Sequence, residues 1–250
     1  MTRKKAFALH LGFSALVLAA VVSLFSLWWF PPPYFFTEGG WRLLRLILFV
    51  DLTIGPLLTL IVFNTRKPRK ELRRDLSVVV LLQIAALLSG LFTVYLQRTS
   101  AVVYADGFLY TMDHQSAAEI PGLLDIHSDN RGPLYAVIDL PDDFDERQKL
   151  RFKSLRTGVP LYNHSEFLTP LDDGGRKEIE HSMLPLEELL ELYGGAKERI
   201  LKEISSTGLK DDGLYILPAY GRYSTFILLL ERDSLKIAGY VPDLKKGSSQ

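Results

Sequence analysis

Three long apolar runs lie within the first hundred positions, and no run of comparable length follows them. No side chain between Ala6 and Thr37 carries a formal charge, and Ala6–Phe30 is apolar almost throughout. A second run extends from Leu43 to Phe63, and a third, without charge, from Leu76 to Leu96. A bilayer core of about 30 Å takes roughly 20 helical residues, so each run is long enough to span one. The pattern predicts spans at about 6–30, 43–63 and 76–96. A cleavable signal is the rival reading of the first run, because Arg3–Lys5 precede it. The run is longer than a signal's roughly 7–15 apolar residues and ends in Trp28-Trp29-Phe30 and three prolines, not in small residues. An uncleaved anchor is expected.

Beyond Gln97 the pattern shortens to β-type runs and polar helices. Ala101–Tyr104 and Phe108–Met112 flank Asp106-Gly107, a hairpin signal. Leu134–Leu140, Leu214–Ala219, Tyr223–Glu231 and Leu235–Val241 read as strands, with the apolar stretch Thr225–Leu230 as a buried central one. Helices are expected from about Asp142 to Arg156, over Pro185–Tyr193 and over Ala196–Ser205. The acids at Asp142, Asp143, Asp145 and Glu146 precede Arg147, Lys149, Arg151, Lys153 and Arg156, an order that complements a helix dipole. A solvated helix surface accounts for both clusters. The predicted fold class is α+β: a three-helix membrane domain over 1–97, then a periplasmic domain over 98–250 with a mostly antiparallel sheet and a few helices.

Charge turns this pattern into a topology. The 250 residues carry 29 basic and 29 acidic side chains, and mean hydropathy is +0.12. That neutrality is an average over a half at +7 (residues 1–97) and a half at −7 (98–250). Six of the basic residues, Arg66, Lys67, Arg69, Lys70, Arg73 and Arg74, fall in the 64–75 loop, against Arg42 alone at the edge of the loop before the second run. The positive-inside bias places the N-terminus and the 64–75 loop in the cytoplasm, and everything after about Gln97 across the membrane. Topology explains the basic loop more simply than nucleic-acid binding does. Trp28, Trp29, Tyr34, Trp41 and Tyr95 fit an aromatic belt on the far side.

Candidate chemistry is sparse. The absence of cysteine removes disulfides, thiol catalysis and iron–sulfur clusters. No nucleophile elbow, zinc-protease helix, P-loop or dinucleotide fingerprint is present. Asp125, His127 and Asp129 have ligand-type spacing but read as a solvated loop, and Glu178, Glu180 and His181 as a charged helical stretch. No catalytic residue, cofactor or metal is expected. A membrane-tethered periplasmic enzyme and a sensor or regulatory protein stay open as alternatives to a binding factor.

The most informative residue is Asp51, alone within the second apolar run. A carboxylate at the bilayer centre costs about 2.5–3.5 kcal/mol on insertion scales, so it must face protein or water, or be protonated. Counted from Leu43, it lies about 12 Å below the far end of its helix. On antiparallel neighbours that depth matches Ser23, Ser26 and Ser89, whose hydroxyls could donate to it. Gly55-Pro56 follows, and Pro56 cannot donate to the Leu52 carbonyl, so a kink is expected there. Asp51, Gly55 and Pro56 then form either a polar clamp among the three helices or a dock for a partner's membrane helix.

Phe30-Pro31-Pro32-Pro33-Tyr34-Phe35 and Gly39-Gly40-Trp41-Arg42-Leu43-Leu44 resemble the first periplasmic loop of the TfpX/TfpZ type IV pilin accessory proteins. Val50-Asp51-Leu52-Thr53-Ile54-Gly55-Pro56-Leu57-Leu58-Thr59-Leu60 is similar to that family's second-helix motif, and Lys67–Leu76 to its cytoplasmic loop. The resemblance covers about the first 110 residues and is looser beyond, where Leu217–Arg222 is compatible. It implies a multi-pass protein of the bacterial inner membrane that promotes type IV pilus assembly or display by binding pilin. It implies no catalytic residue and no cofactor.

Overall fold

The computed structural model describes residues 2–30, 32–64, 67–126 and 132–244. They form two compact bodies, one of Met1–Phe35 with Gly39–Arg98, the other of Phe36–Glu38 with Thr99–Gln250.

The first body is helical: α1 (Arg3–Leu24), α2 (Tyr34–Thr37), α3 (Gly40–Phe49), α4 (Gly55–Val62) and α5 (Arg69–Gln97). With the turns that continue them, they give three helices long and apolar enough to cross a membrane, at Arg3–Leu27, Gly40–Val62 and Arg69–Gln97. Each begins earlier than its apolar run. The third does so by seven residues, so Arg69, Lys70, Arg73 and Arg74 are the first turns of a helix and not a loop. Polar residues form a helix as readily as apolar ones when propensity is good, and Arg69–Arg74 contains neither Gly nor Pro. Pro68 precedes the helix and Lys67 reaches forward to Asp75 at 2.6 Å. Arg66 lies outside the described residues.

Two wide turns interrupt the spans, at Phe25–Trp29 and Val50–Ile54. In them the amide of Phe30 bonds the carbonyl of Phe25 at 2.8 Å, and that of Gly55 the carbonyl of Val50. Each turn lies shortly before a proline in the sequence, Pro31 and Pro56. A proline offers its helix no amide, and widening the preceding turn lets the neighbouring groups find other partners. The expected kink at Gly55-Pro56 therefore takes the form of a π-turn holding Asp51. Trp29 and Tyr95 meet edge-on at 5.5 Å, and Tyr34 is fully buried.

The second body is α+β. Its strands are β1 (Thr99–Ala105), β2 (Phe108–Asp113), β3 (Leu134–Ile138), β4 (Leu168–Pro170), β5 (Leu214–Tyr220), β6 (Thr225–Glu231) and β7 (Ile237–Leu244). They form one sheet in the order β4-β3-β1-β2-β5-β6-β7. The sheet is mixed rather than mostly antiparallel, because β1 runs parallel to β3 and β2 parallel to β5. The central β1–β2 hairpin turns on Asp106 (φ 50°) and Gly107 (φ 92°), the left-handed pair that a two-residue turn demands. After β2 the chain passes β1 and returns as β3 on its far side, and a long crossover from β4 then lays β5 parallel beside β2. Thr225–Leu230 is paired on both sides, as its composition implies.

Helices α6 (His114–Ala118), α7 (Phe144–Thr157), α8 (Asp173–Ser182), α9 (Leu186–Leu192) and α10 (Lys197–Ser206) complete this body. One apolar cluster joins Ala101, Val103, Met112 and Ile138, and another joins Leu189, Ile200, Ile204, Ile216 and Leu229. Strand pairing puts both on one face of the sheet, with α9 and α10 over the second.

Two buried charges lie within this body, where sequence reading expected solvated helix surface. The Arg147 guanidinium forms a bidentate pair with Glu178, at 3.0 and 2.7 Å, and also donates to the Pro141 and Leu140 carbonyls. Their side chains are 4% and 1% exposed, so the pair binds α7 to α8 out of reach of water. Helix periodicity alone assigns Arg147 to the surface; only the tertiary placement of Glu178 buries it.

Phe36 and Thr37, the second half of α2, belong with Glu38 to this body rather than to the first. The Glu38 carboxylate is buried and accepts the Arg222 amide at 3.0 Å. A side chain at Gly221 would collide with Glu38, which is why the backbone there can approach so closely. Burial pushes the Glu38 carboxyl above its ordinary value of 4.5, and the Arg222 amide with the Thr111 and Thr37 hydroxyls offsets only part of that.

Removing one member of the buried pair leaves an uncompensated charge. Glu178→Ala is expected to cost about 3–5 kcal/mol, read as a fall in the denaturation midpoint of the full chain in detergent. Because the Glu38 pKa is raised in the folded state, its contribution is full below the ordinary glutamate range. It is lost as pH rises through the raised value. Glu38→Gln should therefore gain on the wild type as pH increases from about 4.5 towards neutrality, measured by thermal unfolding across a pH series.

Candidate functional site

Asp51 sits in the wide turn Val50–Ile54 and is 6% exposed. Packing of α1 on α4 brings His10 to Thr59, with Nδ1 and Oγ1 2.5 Å apart. That contact fixes an antiparallel register. Eight residues back from Thr59 is Asp51, and eight on from His10 is Leu18, so Asp51 lies level with Leu18. Ser23 and Ser26 are one to two turns further along, and their hydroxyls donate to the Ala19 and Val22 carbonyls of their own helix. The two serines therefore do not meet Asp51, which lies deeper than the sequence count places it. The reason is the helix start: the second span begins at Gly40, not Leu43, which lowers Asp51 to about 16 Å from that end.

Asp51 borders two concavities. One, of about 350 Å³, is lined by His10, Ser14, Val80 and Gln83 among others. The other, of about 290 Å³, lies between α3 and α5 and is lined by Leu46, Val50, Ala86, Ser89 and Gly90 among others. Ser89 thus shares a concavity with Asp51, as depth matching anticipates. Among the described residues the Asp51 carboxylate accepts no hydrogen bond. Arg45 lies over the Trp41 ring at 5.7 Å. Gly55 permits close packing of α4 on α5, because a Cβ there would overlap the Gln83 amide. The sequence places Asp51, Gly55 and Pro56 together, and the structure adds His10, Ser14, Thr59 and Gln83. Polar residues inside apolar runs were the available signal for these four; their convergence needed the register.

The second body has a more polar concavity of about 340 Å³, bordered by Tyr110, Tyr162, Tyr220, Asn163, Glu119 and Arg222. The Tyr110 ring lies 4.6 Å from that of Tyr162 and 5.5 Å from that of Tyr220. Burial pushes the Tyr110 phenol up to about 12, so it stays protonated at neutral pH. Of the ligand-type residues, Glu178 is committed to Arg147, Glu180 accepts from Tyr215, and His127 and Asp129 lie outside the described residues. No cluster of three metal-ligating side chains occurs among the described residues.

A buried carboxylate without a donor destabilises the bundle that holds it. Asp51→Leu is therefore expected to raise the stability of the isolated chain in detergent, by up to about 2–3 kcal/mol, read as a higher thermal midpoint. A polar clamp requires the opposite sign. Thr59→Val, which deletes a contact that is made, should lower stability by about 0.6 kcal/mol in the same assay.

Three fimbrial assembly proteins of Dichelobacter nodosus, of serogroup I, serogroup E1, and serogroups C1 and C2, are each 36% identical to the chain over 96 residues, 38% of its length. The match spans 37% of the serogroup I and E1 proteins and 73% of the serogroups C1 and C2 protein. No family model matches the chain, and no solved structure resembles it significantly. At 36% identity across nearly three quarters of the serogroups C1 and C2 protein, the chain belongs to the family of fimbrial assembly proteins.

Proposed function

We propose that the protein is a non-enzymatic accessory factor of the TfpX/TfpZ type that promotes assembly of type IV pili by binding pilin in the bacterial inner membrane. The observation that carries this reading is the 36% identity to fimbrial assembly proteins. Three helices of spanning length support a membrane site of action. The bias of basic residues to Arg3–Lys5 and Lys67–Arg74 favours a cytoplasmic N-terminus and a second body in the periplasm. In that arrangement the spans meet the membrane-resident part of pilin and the acidic second body meets its water-exposed part.

Deletion of the gene, with complementation, tests the reading. Surface pili, sheared and quantified by immunoblot, should fall about tenfold or more while total cell pilin is retained. Unchanged surface pili would overturn it.

A further inference from the structure

Asp51 is buried and accepts no hydrogen bond among the described residues, yet it borders the groove between α3 and α5. The α5 wall of that groove is built of Ala86, Ser89, Gly90 and Thr93, at the spacing of one helix face. Three of these four, Ala86, Ser89 and Thr93, are exposed. Small side chains on a membrane helix let a second helix approach closely, where packing and interhelical hydrogen bonds drive association. The carboxylate supplies what the small residues do not, a demand for a particular chemistry. It can accept but not donate when ionised, and in hydrocarbon an unmet acceptor is costly.

We infer that this groove receives a transmembrane helix of the partner, one that brings a hydrogen-bond donor or a positive charge to the depth of Asp51. The partner helix is otherwise apolar, because the remaining walls, Leu43, Leu46, Ile47 and Val50, offer only hydrocarbon. Its donor reaches about 16 Å below the Gly40 end of the second span. A helix without such a donor would leave Asp51 as costly as before and gain nothing from the site, so the residue selects among membrane helices. The inference rests on the reading above, in which the partner is pilin.

The chain contains no cysteine, so a single introduced cysteine labels one position uniquely. Full-length protein carrying Ser89→Cys, or Leu88→Cys on the opposite face of α5, is loaded with a thiol-linked photo-crosslinker in membranes containing pilin. Cross-linking to pilin is expected from position 89 and not from position 88. Asp51→Leu in the Ser89→Cys background should lower the yield about tenfold or more, with Asp51→Asn retaining an intermediate yield through its carbonyl oxygen. Ala86→Leu, which fills the groove and leaves Asp51 in place, should lower it as well. Equal yields from the two faces, an undiminished yield in Asp51→Leu, or cross-links only to a second copy of this chain would each overturn the inference. Co-purification of pilin with the unmodified protein separates the two levels. Pilin captured without a groove cross-link overturns the groove alone, whereas no capture of pilin overturns the reading on which it rests.

Discussion

Hydrocarbon supplies no hydrogen bonds, so every polar group carried into it needs a partner from the protein itself. Most of the first body obeys this rule quietly. Ser23, Ser26, Ser77 and Thr93 bond carbonyls one turn back in their own helices. His10 and Thr59 satisfy each other between helices. The wide turns ahead of the prolines absorb backbone groups that an α-helix would strand. Against that background Asp51 stands out, because a carboxylate makes a larger demand than a hydroxyl and this one accepts no hydrogen bond among the described residues. Such a residue persists when something outside the isolated fold meets the demand.

The second body solves the same problem with the opposite outcome. Arg147 and Glu178 are as deeply buried as Asp51, but they answer each other with two hydrogen bonds, and two backbone carbonyls take up the rest of the guanidinium. A pair of this kind fastens α7 to α8 and gives little reason to look for a ligand there. Glu38 is the intermediate case in this body, since its carboxylate accepts the Arg222 amide while Oε1 has no hydrogen-bond partner among the described residues; Asp51 accepts no hydrogen bond among them and borders a groove.

Much of this was legible in the sequence. Spanning length, the hairpin at Asp106-Gly107, the apolar strand at Thr225–Leu230 and the oddity of Asp51 all follow from local pattern. What local pattern misses is set by contacts between distant residues. The start of α5 at Arg69 depends on Lys67 and Asp75 closing its first turns. The depth of Asp51 depends on where the second span begins, and three residues at Gly40 were enough to exchange Ser23 and Ser26 for Leu18. Parallel pairing of β1 with β3, and burial of Arg147, depend on long connections whose return point no periodicity encodes.

The wide turn at Val50–Ile54 holds one residue more than the α-helical count for the same hydrogen-bonded ring. An α-helix advances about 100° per residue. Conversion of that turn to regular helix, or its return, would therefore swing the azimuth of Asp51 by about 100° relative to the chain beyond Pro56, with little change in its depth. The extra residue thus sets the azimuth from which Asp51 borders both the groove beside Ser89 and the concavity beside His10.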